Sequence, residues 1–334
     1  MNILFYCPFN FDIKSSNLRS LGGIESLNIE LSKYLSHSHH KIFLATNCKK
    51  IIKKKNLTNI PINILLKNIS SYSFDKIISS NDPTIFNYSK YSKNFLWLHN
   101  KLPIEKAIRK KKFFSIIRNK IFAIFVSDYL LNKTTNIYNF KHKFVIPNFL
   151  DPTFSNVKTQ IKRKPYFIWS VQRKKGLKEV LKIWIKKIYI INSKAKLFIF
   201  GINKSSFTKK DIKTFSNHNI FIKGRVSKKE LKTYYNSSIG MICLGYDETF
   251  CINAIEALSC GLPLITFGLT AVNELTNNKN SFKIKSFNEL EKQILKILDM
   301  NKSQRQSYTY YCYKFSKKYK IQKIAPLWKK VLNF

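Results

Sequence analysis

Acidic residues are scarce in this chain. Its 334 residues hold 18 Asp and Glu against 60 Lys and Arg, for a net charge of +42. Arginine is scarce too, at seven positions (Arg19, Arg109, Arg118, Arg163, Arg173, Arg225 and Arg305), which leaves 53 lysines. Nine Gly and nine Pro are too few for a collagen-like or Gly/Pro-rich low-complexity chain. No apolar run approaches the ~20 residues that a membrane-spanning helix requires. The six cysteines (Cys7, Cys48, Cys243, Cys251, Cys260, Cys312) lack a C-x-x-C or zinc spacing, so they read as buried thiols in a reducing compartment. No Asp-x-Asp and no His/Asp/Glu cluster with metal spacing is present, so no metal is expected. The opening Met1-Asn2-Ile3-Leu4-Phe5-Tyr6-Cys7-Pro8 has no basic n-region and reads as a first strand, not a signal peptide. A cytoplasmic location is expected.

The abundance of Lys, Asn and Ile suits an AT-rich genome, but codon bias does not explain the shortage of acids. So large an excess of positive charge should attract anionic surfaces. Nucleic acid is not expected as a partner, because the aromatics fall in apolar segments with no stacking module or helix-turn-helix signature. An anionic membrane leaflet, at about 1 kcal/mol per basic residue near its surface, is the other candidate.

With 44% hydrophobic and 14% aromatic residues, the chain is no disordered polyelectrolyte, and it is long enough for two domains with a core each. Strand and helix patterns alternate, which predicts an α/β fold of parallel sheets with helices on both faces. Strands are expected at residues 3–6, 41–45, 76–79, 95–98 and 121–126, then at 166–170, 196–200, 220–223, 240–244 and 264–267. Ile24, Leu27, Leu31 and Leu35 repeat at helical spacing after Gly22-Gly23. Domains are expected at 1–150 and 165–316, with a polar, basic linker at 151–164. An amphipathic tail helix containing Trp328, at 317–334, is expected to pack back on the first domain.

The segment with the most chemistry runs from Asp247-Glu248-Thr249-Phe250-Cys251 through Glu256-Ala257-Leu258-Ser259-Cys260-Gly261-Leu262-Pro263. If a helix starts near Thr249, Glu256 lies two turns inside it, roughly 12 Å along the axis from Glu248. Helix N-termini carry free N–H groups that suit a diphosphate, and carboxylates are acceptor-only groups that suit sugar or ribose hydroxyls. Two such carboxylates flanking a phosphate cradle describe a nucleotide-sugar site.

This segment resembles the Glu-x7-Glu signature of family-4 retaining glycosyltransferases. Glu248-Thr249-Phe250, Glu256-Ala257-Leu258, Cys260-Gly261 and Pro263 stand in register with that family's pattern. Gly22-Gly23-Ile24-Glu25, Trp97-Leu98-His99-Asn100 and Val145-Ile146-Pro147-Asn148 are similar to further segments of it. The resemblance implies a GT-B fold, two Rossmann-like domains facing each other across a cleft. It implies transfer of a hexose-type sugar from a nucleotide-diphosphate donor, UDP- or GDP-linked, with retention of configuration and no metal. Glu248 would orient the donor sugar, Glu256 would bind the ribose, and His99 would line the reacting centre. Gly22, Gly23, Thr249, Phe250 and Cys251 would lie against the donor, with Glu274 an acid near it or simply a residue at a helix end.

The family's Arg and Lys-Gly pair after the first strand of the second domain is compressed here into Arg173-Lys174-Lys175-Gly176. Lys175 suits the diphosphate as a compact cation, and Arg173 is the best Arg candidate; which of the three reach the ligand stays open. The acceptor is expected to be a cell-envelope glycan such as lipopolysaccharide, capsule or a lipid-linked oligosaccharide. In residues 101–119 a helix would gather Ile104, Ala107, Phe114 and Ile117 on one side and Lys106, Arg109 and Lys112 on the other. Such a helix could lie on an anionic membrane or be an ordinary surface helix. A sugar-nucleotide epimerase of the same fold and an inactive, polyanion-binding relative are the alternatives.

Overall fold

A computed structural model describes residues 1–14, 21–88, 92–155, 163–170 and 176–333. The chain divides into two compact units, Met1–Phe149 with Ile321–Phe334, and Leu150–Lys320.

The first unit is built on an eight-stranded sheet. Its strands are β1 (Asn2–Tyr6), β2 (Lys41–Thr46), β3 (Ile52–Lys54), β4 (Leu57–Pro61), β5 (Lys76–Ser80), β6 (Lys93–Leu98), β7 (Phe122–Phe125) and β8 (His142–Val145). Their order is β3-β4-β2-β1-β5-β6-β7-β8. All neighbours are parallel except the edge pair β3 and β4. β1 is buried from Ile3 to Tyr6, the continuous apolar run expected of a strand covered on both faces. It pairs Phe5 with Leu44 on one side and with Ile78 on the other. The sheet therefore grows outwards in both directions from β1, and ligands of such sheets bind beyond the carboxyl ends of the strands at that switch point.

The Gly23–Ser36 helix buries Leu27, Leu31 and Leu35. The tail forms a helix from Ile321 to Asn333 that buries Ile324, Trp328, Val331 and Leu332. The Trp328 indole stands edge-on to Trp97 of β6, centroids 4.7 Å apart, and Lys329 lies over the Tyr34 ring at 5.8 Å. The tail thus closes the core of the first unit.

The second unit holds β9 (Tyr166–Trp169), β10 (Lys196–Phe200), β11 (Ile220–Gly224), β12 (Gly240–Ile242), β13 (Leu264–Thr266) and β14 (Ser281–Lys283). Their order is β11-β10-β9-β12-β13-β14, every pair parallel. The same rule puts its switch point between β9 and β12. A helix starting at Leu177 passes through a π-helical stretch, Trp184–Ile188, before ending at Ile191. Trp184 is fully buried there, its indole donating to the His218 carbonyl at 3.1 Å.

One sequence expectation is corrected. Residues 101–119 do not form one helix. They make two short ones, Ile104–Arg109 and Phe113–Arg118, separated by a turn with Lys111 at φ 55°. Lys112 points inward, donating to the Asn81 carbonyl at 2.8 Å with Asp82 at 3.5 Å. The expected grouping therefore fails: Ala107 is buried, while Phe114 is exposed beside Ile108 and Ile117. A pair of half-buried acceptors outweighed the helical wheel.

Two residues of the segment read as a linker make contacts within the second unit. Phe154 is fully buried. The Arg163 guanidinium donates to the carbonyls of Ser238 (2.7 Å), Tyr235 (3.3 Å) and Cys260 (2.6 Å). Those carbonyls belong to the ends of the helices Lys228–Ser237 and Ile252–Ser259, whose last carbonyls have no intrahelical partner. Gly261, at φ 72°, leaves room for it; an added Cβ would come within 2.9 Å of the guanidinium.

Trp328→Ala should lower the unfolding free energy of the first unit by about 3–5 kcal/mol, the range for large-to-small core changes. Chemical denaturation followed by tryptophan fluorescence checks it; an unchanged midpoint would mean that the tail helix does not complete this core.

Candidate active site

The helix that carries the second carboxylate starts later than the sequence pattern suggests. It runs from Ile252 to Ser259, with Cys251 as its N-cap in the left-handed region at φ 65°, a conformation that few non-glycine residues adopt. Glu256 is therefore its fifth residue, about one turn in, roughly 6 Å from the start at 1.5 Å per residue, not two turns beyond Thr249. Several contacts hold this start in place. Asn253 donates its side-chain amide to the Ser170 carbonyl at the end of β9. The Tyr235 hydroxyl donates to the Asn253 carbonyl at 3.4 Å, and the Cys251 thiol lies 3.6 Å from that of Cys243. The Glu248 carbonyl accepts from the Ala271 N–H at 3.2 Å, and Phe250 packs on Tyr319 at 5.8 Å. These tethers leave the loop no freedom to extend the helix to Thr249.

Glu256 is 0% exposed. Its Oε1 accepts from the Lys228 ammonium at the start of the Lys228–Ser237 helix, and its buried Oε2 has no hydrogen-bond partner among the described residues. Burial pushes the carboxyl upward, Lys228 opposes that shift, and the Asp151 charge adds to it. Burial and the Glu256 charge push the Tyr235 hydroxyl well up. An unfilled acceptor on a buried carboxylate costs on the order of 1–3 kcal/mol or more, which a ligand hydroxyl would recover.

Around this pair, Glu248 and Thr249 are half-buried and Phe250 and Cys251 are buried. Glu274 is exposed on the Ala271–Leu275 turn, the same turn whose first N–H holds the Glu248 carbonyl. The structure thus brings Glu248, Thr249, Phe250, Cys251, Glu256 and Glu274 together at the carboxyl edge of β12 and β13. Arg173, Lys174 and Lys175 lie outside the described residues. Gly176 directly follows them at φ 86°, where a Cβ would sit 3.2 Å from the Phe287 ring and 3.4 Å from the Leu244 carbonyl.

The remaining predicted residues belong to the first unit. Gly22 is the N-cap of the Gly23–Ser36 helix. The Glu25 side chain folds back on it, with its Cδ 2.9 Å from where a Cβ would stand, a contact that rotation of the flexible glutamate would relieve. Asn28 exchanges hydrogen bonds with Ser80 at the end of β5 (2.9 and 3.2 Å), and burial pushes the nearby Cys7 thiol up. His99 follows β6. Its N–H donates to the Asn81 side chain at 2.8 Å, and its ring packs on Trp97 at 4.4 Å. Burial lowers its pKa to about 3, so the ring is neutral, with one donor and one acceptor nitrogen.

Sequence reasoning missed Lys228, Asn253, Tyr235 and Asp151. One lysine among 53 carries no signal by itself. Asn253 could have been found, because it lies inside the Glu-x7-Glu frame on the first turn.

Two parallel-sheet units, each with a central first strand, define the GT-B fold. The crystal structure of WaaG, a glycosyltransferase involved in lipopolysaccharide biosynthesis, is similar over 98% of this chain and 99% of its own, with TM-score 0.74 and 11% identity. Sucrose-phosphate synthase from Thermosynechococcus elongatus is similar over 98% of each chain, at TM-score 0.73 and 12% identity. The pneumococcal O-GlcNAc transferase GtfA, in complex with UDP and GlcNAc, matches 85% of this chain and 62% of its own, at 0.64 and 17%. Residues 153–315 match the model of the family glycosyl transferases group 1. No curated protein sequence matches the chain.

His99 supplies a pH prediction. Its folded pKa lies below the ordinary value of 6.5, so the unfolded chain binds the extra proton and stability falls as pH drops through 6.5 towards 3. Between pH 7.5 and 5 this amounts to about 2 kcal/mol. His99→Gln should lose correspondingly less stability over that interval in pH-dependent melting; parallel curves for the two proteins would refute a buried neutral His99.

Proposed function

We propose that the chain transfers a hexose-type sugar from a nucleotide-diphosphate donor, UDP- or GDP-linked, to a cell-envelope glycan, with retention of configuration. The observation that carries this reading is the placement of two carboxylates about one helix start at the carboxyl edge of a parallel sheet. One of them, Glu256, is fully buried with an acceptor unfilled. In this reading the open N–H groups at Ile252 and Asn253 receive the diphosphate, Glu256 takes a ribose hydroxyl, and Glu248 takes hydroxyls of the sugar. Arg173 and Lys175 meet the charge that grows on the leaving diphosphate, where preorganised charge acts most strongly. The acceptor hydroxyl attacks the anomeric carbon from the leaving-group face and gives its proton to the departing diphosphate. Neutral His99 lines the reacting centre. The reading requires no metal, in keeping with a sequence that has no Asp-x-Asp. The similar WaaG and GtfA structures, one acting in lipopolysaccharide biosynthesis and one holding UDP and GlcNAc, support a nucleotide-sugar donor and a surface glycan.

The acceptor side favours a protein that works in the cytoplasm against the anionic inner membrane. Ile108, Phe114 and Ile117 are 52%, 60% and 43% exposed. Lys106, Arg109, Lys110, Lys111, Arg118 and Lys120 surround them in sequence and are exposed as well. Among the described residues no helix is long and apolar enough to cross a membrane, so any attachment through this patch would be peripheral.

Thermal-shift screening with UDP-, GDP- and ADP-sugars tests the donor. At roughly 100 times Kd a ligand adds about 2.7 kcal/mol, a shift of several degrees, which Glu256→Gln should abolish. Silence with every donor would overturn the reading. Liposome flotation tests the surface. Binding to anionic vesicles should weaken severalfold in Phe114→Ser, Ile117→Ser, whereas equal flotation of variant and parent would exclude this patch.

A further inference from the structure

We propose that Lys228 is the positioning residue of the nucleotide pocket: its ammonium holds the buried Glu256 carboxylate ionised and turned so that Oε2 is the acceptor offered to a ribose hydroxyl. The inference rests on the donor-site reading and adds to it a residue that the sequence pattern does not mark.

The geometry supplies the argument. A fully buried carboxylate is stable as an anion only beside a cation or several hydrogen bonds. Among the described residues Glu256 has one such partner, the Lys228 ammonium on Oε1. Asp151 and Tyr235 also face it, from the segment before the Pro152–Phe154 turn and from the Lys228–Ser237 helix, and Cys260 lies on its own helix. None of these three brings a positive charge. Lys228 is the more accessible partner, at 23% against 0%, so a ligand reaches the carboxylate from the Lys228 side. Its aliphatic and ammonium end lies over the Phe154 ring at 5.7 Å, and Ser227 caps the helix just before it, accepting from the Glu230 N–H at 3.2 Å. The lysine is held by its own helix start rather than by the ligand.

With Oε1 engaged, one oxygen of Glu256 remains for a hydroxyl. The site then accepts from a single ribose hydroxyl through a charged acceptor instead of clamping two hydroxyls with both oxygens. Without Lys228, burial and the Asp151 charge would push the carboxyl further up and favour its protonated form, a weaker, neutral acceptor.

The test is calorimetric titration of the full chain with UDP and GDP, across about pH 6 to 9. The parent should bind one of them with an affinity nearly flat over that range. Lys228→Met should bind about tenfold more weakly at the acidic end, the worth of one charge-assisted hydrogen bond, and recover as pH rises and Glu256 ionises again. Lys228→Arg should restore the flat profile. The 2′,3′-dideoxy nucleotide, which has no hydroxyl for Oε2, should bind parent and Lys228→Met alike. Lys228→Met, Glu256→Gln removes both charges; its melting temperature should match the parent's, separating misfolding from lost positioning. Equal, pH-flat affinity of parent and Lys228→Met would overturn the proposal, as would a loss shared by the dideoxy nucleotide. If the parent itself bound neither nucleotide, the donor-site reading would fall instead.

Discussion

The arrangement of the second unit depends on one buried negative charge. Taking a carboxylate out of water costs several kcal/mol even after relaxation, and Glu256 is wholly out of water. That cost constrains its neighbourhood. Lys228 must stand at the start of its helix to reach Oε1, so the Lys228–Ser237 helix must run close beside the Ile252–Ser259 helix. Arg163 fastens the far ends of those same two helices by binding the carbonyls of Ser238 and Cys260. The pair is clamped at both ends, by an ion pair at the site and by charge-assisted hydrogen bonds away from it. Neither clamp opposes the other, because each cation meets backbone or side-chain oxygens at its own end.

The parallel sheets explain why the remaining site residues gather where they do. In a parallel sheet every strand points the same way, so every loop that follows a strand opens on one edge. Gly22 and His99 follow β1 and β6; Gly176, Glu248 and Glu274 follow β9, β12 and β13. Within a unit, residues far apart in sequence thus share one edge of the sheet without any long-range pairing beyond the sheet itself. Within each unit the first strand lies in the interior and its neighbours are added on either side, so the loops nearest the switch point follow β1 and β5 in the first unit, and β9 and β12 in the second. The latter two loops hold Ser170 and Glu248, and the Asn253 side chain bridges them to the helix start.

How much of this could be read in the amino acids varies with the kind of interaction. The α/β architecture was legible because buried parallel strands write themselves as short apolar runs, such as Ile3 to Tyr6 and Leu197 to Phe200. Two edge strands of the first unit were not: Ile52–Lys54 and His142–Val145 are half polar and largely exposed, with no periodicity to betray them. The acidic residues of the site were legible for a compositional reason. With 18 acids in 334 residues, Asp247, Glu248, Glu256 and Glu274 falling within one short stretch stand out. The cations that matter were illegible for the same reason turned round: Lys228, which pairs with Glu256, and Arg163, which binds helix-end carbonyls, sit in a chain crowded with cations. The helix start was misplaced because Cys251 adopts a left-handed conformation that its identity does not announce. The helical wheel over residues 101–119 failed because it counts apolar spacing and cannot see Asp82 and the Asn81 carbonyl drawing Lys112 inward.

The excess of lysine bears on recognition as well as on solubility. With so few acids available, many lysines lie over aromatic rings instead, as Lys318 does over Phe315 at 4.0 Å and Lys317 over Tyr313 at 4.7 Å. Such contacts set the ammonium against the negative face of the ring. The summed field of a +42 chain then draws in any polyanion, raises encounter rates and weakens with salt. A field of that kind cannot tell a nucleotide sugar from inorganic phosphate or a stretch of nucleic acid. Discrimination has to come from groups that a simple anion cannot satisfy, and those are acceptors. A carboxylate repels phosphate and welcomes hydroxyls. In a basic protein, then, a buried glutamate with one oxygen unfilled is the feature that separates a ligand carrying both phosphates and hydroxyls from one carrying phosphates alone.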